Sequence, residues 1–393
     1  MMPSPLISAE PFELPHSASS IPFSAGILSG VVLPTRPITI HFQMVPTSEF
    51  QLQFLQKVQL LLDSGKFTST YKFALLIALT NVAVEKGDDS GAALEVNLDD
   101  VAREFLSLYW SQARPYGKAP LMQNAEVAKQ AKIITLLIPE LGASQSAHLR
   151  LRQYEQQRDG LLNAARRLIV KFPLKHLQHF ESIDDQKYSK DQFLYKFEGA
   201  DASNLQLQTI TLKPGVAACL RSLRGVIVAL VQARWARWVR EKNPLLGKDR
   251  NLEAFMFGQD RQPLTHLAPR LYEMQNGRCF YTDKKLDAPK AGEVDHFIAW
   301  ARYACNDPMN LVLASRKANN DKSDHIASTR HLKEWVKRNA ISSCDSSKNP
   351  DPQSVLSIAR WAYAHAASMN TPAWDAPKKL VKLDGSWAKL CAG

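Results

Sequence analysis

Apolar residues recur with helical spacing over most of the first half of the chain. From Phe50 onward they lie three and four positions apart, and the run from Tyr71 to Leu79 is almost continuously apolar. The first pattern is typical of a helix with one buried face, and the second of a helix buried on all sides. The same spacing predicts three more helices, after Asn97, at about 122–140 and at about 147–171. We therefore predict a mainly helical domain over residues 44–190.

The first 43 residues show neither helical nor strand periodicity. They are rich in proline and serine between short apolar runs, so we expect them to be poorly ordered. Met44 directly precedes a helix-entry signal at Pro46 and Thr47. Residues 1–43 are therefore interpreted either as a flexible tail or as an upstream extension of the reading frame, and the sequence leaves both open.

The pattern changes over residues 191–265, where two β-prone runs predict a two-stranded ribbon. After Pro214 a long helix is predicted to about Lys242, with arginines interleaved between apolar and tryptophan residues. On this helix, Arg234 and Arg237 are predicted to contact a phosphate backbone. The alternative is an ordinary core helix whose arginines lie on a solvated face.

The charge balance favours a polyanionic partner. The chain holds 49 Lys and Arg against 38 Asp and Glu, which gives a net charge of +11, and its pI is about 9.3. Nucleic acid and an anionic membrane surface both suit such a balance. No stretch approaches the roughly 18 apolar residues that cross a bilayer, and no signal-peptide pattern is present at the N-terminus. We expect a cytoplasmic protein that binds nucleic acid and no membrane.

One segment in the C-terminal third concentrates residues with chemical potential. Between Gly277 and Ser323 two β-prone pieces flank a polar, proline-containing loop, and a helical run starts at about Arg316. This order predicts a hairpin followed by a helix. The polar residues of interest in it are Asp295, His296, Asn310, Asn319 and Lys322.

This constellation resembles the HNH, or ββα-metal, nuclease motif, which has an Asp-His pair, a central Asn before an apolar strand, and a final Asn or His followed by Lys. Asn310 and Asn319 lie 14 and 23 residues after His296, as in the HNH domains of CRISPR effector nucleases. The resemblance covers about one eighth of the chain, residues 272–324. It implies an α+β fold: a mainly α-helical N-terminal part, a C-terminal ββα-metal nuclease domain at 266–345, and a C-terminal helix and tail at 346–393.

The resemblance also implies chemical roles. Phosphodiester cleavage requires an activated water, a metal ion and help for the leaving alkoxide. His296 is the predicted general base, since imidazole accepts a proton near neutral pH. Asp295 and Asn319 offer hard oxygen ligands to one Mg²⁺ or Mn²⁺, with Asn320 as an alternative to Asn319. Because adjacent strand residues point oppositely, Asp295 and His296 are expected at a distorted strand end or in a loop.

By the same resemblance, Asn310 is expected to hold the loop and to orient His296 through a hydrogen bond, without binding metal. Lys322 lies one helical turn after Asn319, and we expect it to contact a substrate phosphate, together with Arg316. Three further acidic residues are either additional metal ligands or solvated turn charges, namely Asp283, Glu293 and Asp321.

The cysteines argue against both disulfides and structural zinc. They are five in number and widely spaced, at Cys219, Cys279, Cys305, Cys344 and Cys391, with no C-x-x-C pair. Many HNH domains carry two such pairs around a zinc ion, but Cys279 and Cys305 alone cannot complete a tetrahedron. We expect no structural zinc, with apolar packing holding the unit together.

The expected function is that of a Mg²⁺-dependent HNH endonuclease acting on double-stranded DNA, whose helical part recognises the substrate or a regulatory protein. Residues 71–76 and the Tyr109-Trp110 pair resemble the helical N-terminal parts of some bacterial restriction-like HNH proteins, which suggests a bacterial defence or restriction setting. One alternative is an RNA-cleaving or toxin-type HNH nuclease. Another is a non-catalytic nucleic-acid-binding protein, against which the intact motif argues.

Overall fold

The structure of the protein, a computed structural model, describes residues 45–65, 67–126, 129–140, 160–181, 188–198, 201, 203–246, 251–258, 264–342 and 352–391. The predicted tail at 1–43, the part of the fifth predicted helix before residue 160, and Cys344 lie outside these residues. Within them the fold is α+β, as predicted. Helices predominate, and four two-stranded antiparallel sheets accompany them.

The first three predicted helices are present. Helix α1 (Ser48–Ser64) begins where the Thr47 side chain accepts a hydrogen bond from the Phe50 amide. Helix α2 (Tyr71–Lys86) is buried along nearly its whole length, which explains its continuous apolar sequence. Helix α3 (Leu98–Trp110) is capped by Asn97 and buries one apolar face. The spacing of apolar residues thus located all three elements.

The helix predicted at about 122–140 is wrong over its first half, because in the described residues a helix begins only with α4 (Lys132–Leu137). The Gln130 side chain accepts from the Gln123 amide and donates to the Leu121 carbonyl. These bonds satisfy backbone groups that a helix would otherwise pair, so the loop is stable without helical structure. Helix α5 (Gly160–Ile169) then runs into a π-helical turn, Val170–Leu174.

The predicted ribbon is reduced to one isolated bridge between its two runs, and the strand that does form pairs elsewhere. Strand β1 (Leu94–Asn97) pairs with β4 (Thr209–Leu212), and β2 (His179–Glu181) pairs with β3 (Tyr188–Lys190). The other β-prone run, 193–197, forms no strand but contributes an isolated bridge between Tyr195 and Leu212. Its backbone is held by Gln178, which accepts from the Leu194 amide and donates to the Tyr195 carbonyl.

The long helix predicted after Pro214 is two helices, α6 (Val216–Ser222) and α7 (Arg224–Lys242), bent by 80° at Leu223. Helix α8 (Leu252–Phe257) follows. Among the described residues no single helix is long and apolar enough to cross a membrane, although the bent pair α6–α7 reaches that length and composition.

The C-terminal part builds a hairpin and a set of helices around it. Strands β5 (Gly292–His296) and β6 (Leu311–Ser315) pair antiparallel, with His296 opposite Leu311. Helix α10 (Arg316–Lys322) follows β6 directly, and the Ser315 side chain accepts from the Ala318 amide at its start. The remaining elements are α9 (Ala268–Met274), α11 (Thr329–Ser342), α12 (Pro352–Ser368), β7 (Ala373–Ala376), β8 (Lys379–Val381) and α13 (Ser386–Leu390).

Two apolar cores are found within the described residues. The first holds buried residues from Phe54 to Met256, in helices α1 to α8 and in strands and loops between them. The second surrounds the β5–β6 hairpin and runs from Ala268 to Cys391, and it also includes Val84 of α2. Helix α2 therefore contributes to both cores. The predicted domain boundaries at 190, 265 and 345 stay predictions.

Candidate functional site

Strand β5 carries Asp295 and His296 as its last two residues, both half-buried. The distortion expected at this point is absent, because β5 keeps regular pairing with β6 through His296. Neighbouring strand residues point to opposite sides of a sheet, and the two side chains accordingly contact different partners. Asp295 contacts Tyr281 and Lys322, while His296 contacts Asn306 and Trp300.

The Asp295 carboxylate is held by two donors. Its Oδ2 atom accepts from the Tyr281 hydroxyl at 2.6 Å and lies 3.0 Å from Lys322 Nζ. Burial, then the charge of Asp295, raises the pKa of Tyr281 well above its ordinary value, so the phenol stays protonated and donates. These contacts fix the carboxylate at the end of β5.

Lys322 differs from the expectation that it contacts a substrate phosphate. Its side chain is fully buried, and Nζ also donates to the His296 carbonyl at 3.0 Å. The ammonium lies 5.6 Å from the centroid of the Tyr281 ring. Desolvating an ammonium group is costly, and the carboxylate, carbonyl and ring offset that cost. In this arrangement Lys322 supports Asp295 and the end of β5 and is not presented to solvent.

The His296 imidazole is held by two residues of the loop that follows it. Nε2 lies 2.8 Å from Asn306 Oδ1, and the imidazole and Trp300 ring centroids are 4.8 Å apart. An amide oxygen can only accept a hydrogen bond, so this contact favours the tautomer with hydrogen on Nε2 and a lone pair on Nδ1. Sequence analysis assigned no role in the site to Asn306, Trp300 or Tyr281, although all three lie within the motif segment.

Asn310 closes the loop between β5 and β6. It is 1% exposed. Its Oδ1 accepts from the Ile298 amide at 2.8 Å, and its Nδ2 donates to the carbonyls of Ile298 and Cys305 at 3.2 and 3.1 Å. The side chain thus holds the loop, as the resemblance implied. Its bonds go to the backbone beside His296 and not to the imidazole, which differs from the expected direct orientation.

Asn319 lies half-buried on α10, while its alternative Asn320 is exposed. The Asn319 amide nitrogen donates to Glu293 Oε2 at 2.9 Å, and Arg316 Nε donates to the other Glu293 oxygen at 2.7 Å. These hydrogen bonds, that of Asn319 first, lower the pKa of Glu293. Glu293, expected as a possible metal ligand, is therefore an anionic partner of two α10 residues.

The other two acidic candidates are engaged elsewhere. Asp321 Oδ2 accepts from the indole of Trp374 at 2.8 Å and from the Lys378 amide at 2.9 Å. Asp283 lies in an exposed turn, 3.5 Å from an Arg278 nitrogen. Both carboxylates thus have structural or solvated positions.

The arrangement of donors bears on which metal ion it suits. Among the described residues, no group of three or more His, Cys, Asp or Glu side chains is placed to hold an ion. Mg²⁺ is commonly bound through one or two protein oxygens, with water and substrate phosphates completing its coordination. A carboxylate at Asp295 and an amide oxygen at Asn319 fit that chemistry.

Cys279 packs as part of the hairpin unit. Its sulfur accepts from the Ser315 amide at 3.2 Å. Burial raises its pKa, but hydrogen bonds from Thr282 and Ser315 outweigh burial, and the net pKa is lowered. The absence of a structural zinc stays a prediction.

The predicted phosphate-binding arginines lie on α7, a helix of the first core, where Arg234 is half-buried and Arg237 is exposed. Arg234 pairs with Asp63 of α1, and Arg237 lies 3.2 Å from Glu241. Arg316, by contrast, starts α10 and its side chain is 80% exposed. The structure therefore groups Arg316 with the motif residues and leaves the α7 arginines paired with acidic side chains.

Comparison with known proteins gives two family matches. Residues 279–328 match the family model described as HNH endonuclease. Residues 51–246 match a domain of unknown function, DUF8808. Neither the curated proteins nor the solved structures gave a match to the chain. The resemblance drawn from the Asp-His-Asn spacing is thus confirmed for residues 279–328, which are similar to HNH endonucleases.

Proposed function

We propose that this protein is a metal-dependent endonuclease that hydrolyses phosphodiester bonds in double-stranded DNA. One observation supports the proposal: Asp295, His296 and Asn319 lie in the segment that matches HNH endonucleases, on the β5–β6 hairpin and α10. In this proposal the unit is a ββα-metal core. The bacterial defence or restriction setting is supported by the sequence resemblance alone.

His296 is the proposed general base. With Asn306 accepting from Nε2, the Nδ1 atom takes the proton of the attacking water. Trp300 limits rotation of the imidazole from its other side. Positioned general bases of this kind typically contribute a factor of about 10²–10⁴ in rate.

Asp295 and Asn319 are the residues that would hold a Mg²⁺ or Mn²⁺ ion. Such an ion, when bound, stabilises negative charge on the phosphate and on the leaving oxygen. Tyr281 and Lys322 keep the Asp295 carboxylate in place, since both contact the same oxygen. Asn310 holds the loop, and Asn306 holds the imidazole.

The surface near the hairpin supports a polyanionic substrate. Exposed basic side chains lie before β5 and at the start of α10, namely Lys284, Lys285, Lys290, Arg316 and Lys317. Exposed lysine and arginine bind phosphates with an affinity that falls as salt rises. The net charge of +11 acts in the same direction over longer distances.

The test compares His296→Ala with His266→Ala, a matched control in which an exposed histidine outside the hairpin is removed. Full-length protein is incubated with plasmid DNA, linear DNA and RNA, in Mg²⁺, Mn²⁺ or EDTA. We expect chelator-sensitive DNA cutting by the parent and by His266→Ala, and a loss of about 10²–10⁴ in rate for His296→Ala.

Binding measurements separate chemistry from recognition. His296→Ala should keep its DNA affinity and salt dependence, because the imidazole adds no phosphate contact. Parental cutting by pure His296→Ala protein would refute the proposed site. Cutting of RNA but not DNA would select the ribonuclease alternative, and salt-dependent binding without cutting would select the non-catalytic one.

A further inference from the structure

A polar cluster joins helices α2, α3 and α7 to the loop 297–310 between β5 and β6. Arg224, the first residue of α7, donates from Nε and Nη2 to Asn81 Oδ1 at 3.2 and 3.0 Å. Its Nη1 donates to the Arg302 carbonyl of the loop at 3.2 Å. The guanidinium lies 4.5 Å from the ring centroid of Tyr303 and 5.6 Å from that of Trp361. One side chain therefore binds the loop by a hydrogen bond and by ring contact.

A second contact to the loop comes from α2. The buried Tyr303 hydroxyl donates to Glu85 Oε1 at 2.7 Å. Burial, followed by the charges of Glu85 and Glu104, raises the pKa of Tyr303 well above its ordinary value, so the hydroxyl remains a donor. Glu104 of α3 accepts a hydrogen bond from the Asn81 amide nitrogen at 2.7 Å. This bond orients the Asn81 side chain, whose oxygen accepts from Arg224. Arg302 and Tyr303 are thus fixed by residues far away in sequence.

The position of these contacts in the loop is informative. Trp300 and Asn306, which both contact the His296 imidazole, lie on either side of Arg302 and Tyr303 in sequence. The amides of Arg302 and Tyr303 both donate to the Ala299 carbonyl, so Trp300 is enclosed in a tight turn. Asn310 fastens the ends of the loop from inside the hairpin unit, but its middle is fastened from α2 and α7.

We propose that Arg224 is a positioning residue for the HNH site, and that Glu85 supports the same loop through Tyr303. By holding the middle of the loop 297–310, it sets where Asn306 and Trp300 hold the His296 imidazole. This inference rests on the proposed function. Arg224 and Glu85 lie in the segment 51–246, which matches DUF8808, whereas the loop lies in the HNH segment 279–328. The DUF8808 segment therefore completes the site of the HNH segment within the same chain.

The chemistry of Arg224 allows geometry to be separated from charge. A guanidinium is a planar fork that bonds Asn81 and the Arg302 carbonyl together while stacking on Tyr303. A lysine keeps the positive charge among the carboxylates but cannot reproduce that fork. Arg224→Lys thus loosens the loop with little change in net charge. Tyr303→Phe is the complementary variant, because it keeps the ring under Arg224 and removes the bond to Glu85.

Arg360→Lys is the matched control. Arg360 of α12 also donates from its guanidinium to a backbone carbonyl, that of Cys391, and it lies outside the loop and the active site. All three variants are made in the full-length chain. Urea unfolding gives their stabilities, and steady-state cutting gives kcat and KM separately.

We expect Arg224→Lys and Tyr303→Phe to lower kcat by about 10- to 100-fold, because misplacement of a catalytic group by about 1 Å costs up to about 10². KM should stay within about twofold, since substrate contacts are unchanged. Arg360→Lys should keep the parental kcat, and the urea midpoints show how far each variant is destabilised. Parental kcat in Arg224→Lys, or an equal loss in Arg360→Lys, would overturn the inference.

A second measurement does not depend on cutting. The imidazole signal of His296 is assigned in the NMR spectrum by its absence from His296→Ala. It should shift in Arg224→Lys and Tyr303→Phe and stay in place in Arg360→Lys. If the parental protein cuts no nucleic acid, the proposed function fails while this spectrum still decides the positioning. An unshifted His296 signal in both loop variants would refute the positioning role.

Discussion

Asn310 offers a quantitative test of how the loop beside His296 is held. Its side chain is 1% exposed and satisfies three backbone groups, the Ile298 amide and the carbonyls of Ile298 and Cys305. Asn310→Ala leaves these groups without their partner. A buried polar group left without a hydrogen bond costs about 1–3 kcal/mol. The Cys305 carbonyl is expected to cost less, because Cys305 is only half-buried. We expect a loss of about 3–5 kcal/mol in the free energy of unfolding.

The assay is urea unfolding followed by tryptophan fluorescence, since Trp335 and Trp374 are fully buried in the second core. With a slope of about 3 kcal/mol per molar urea, the midpoint should fall by roughly 1–1.7 M. Asn306→Ala is the matched control. Asn306 is half-buried and hydrogen-bonds the imidazole, so its removal should cost about 1 kcal/mol or less while cutting is strongly impaired.

The contrast between the two asparagines carries the test. A midpoint for Asn310→Ala within about 0.3 M of the parental value would show that these bonds do not hold the loop. Equal destabilisation by Asn306→Ala would show that the two residues act as one structural unit. Either result would refute the view that Asn310 closes the loop while Asn306 orients the imidazole.

Two further variants test the surroundings of the site. Lys322→Met should lower the free energy of unfolding by about 3 kcal/mol, because it leaves the largely buried Asp295 carboxylate without its cation. The salt dependence of DNA binding should not change. A salt slope reduced by about 1, with parental stability, would instead support a phosphate contact. Glu85→Gln concerns pH: burial, then Glu104, raises the pKa of Glu85 to about 8, against the opposing effects of Tyr303 and Lys86. The folded chain therefore keeps a proton that the unfolded chain releases above a pH of about 4.5. The stability of the parent should fall relative to that of Glu85→Gln as the pH rises from about 4.5 to 8. A difference in urea midpoints that does not depend on pH would contradict this expectation.

The sequence located the candidate site because its signal is local. Asp295, His296, Asn310 and Asn319 are spaced along one hairpin and one helix, and short elements of that kind follow from nearby residues. The burial of the Lys322 side chain could not be predicted from local spacing. The spacing of three residues assigns it to the same helix face as Asn319, but whether that face meets solvent or Tyr281 depends on tertiary packing.

Other differences have the same origin. Strand partners were misassigned because β-propensity marks a strand without choosing its neighbour, and β4 pairs with β1, which lies more than a hundred residues earlier in the chain. The loop before α4 escaped notice because Gln130 satisfies its backbone through side-chain bonds. The Arg224 cluster joins residues 78 positions apart, from Arg224 to Arg302, which no local pattern reveals.

Helix α2 has a consequence for how such a chain can diversify. Its apolar residues enter the first core, yet Val84 in its last turn belongs to the second core around the hairpin. Glu85 beside it accepts a hydrogen bond from Tyr303 of the loop 297–310. Recombination that exchanged the HNH segment 279–328 alone would bring in a foreign loop opposite an unchanged α2. The two segments are therefore expected to be inherited as a pair, with compensating substitutions at the end of α2 whenever the loop changes.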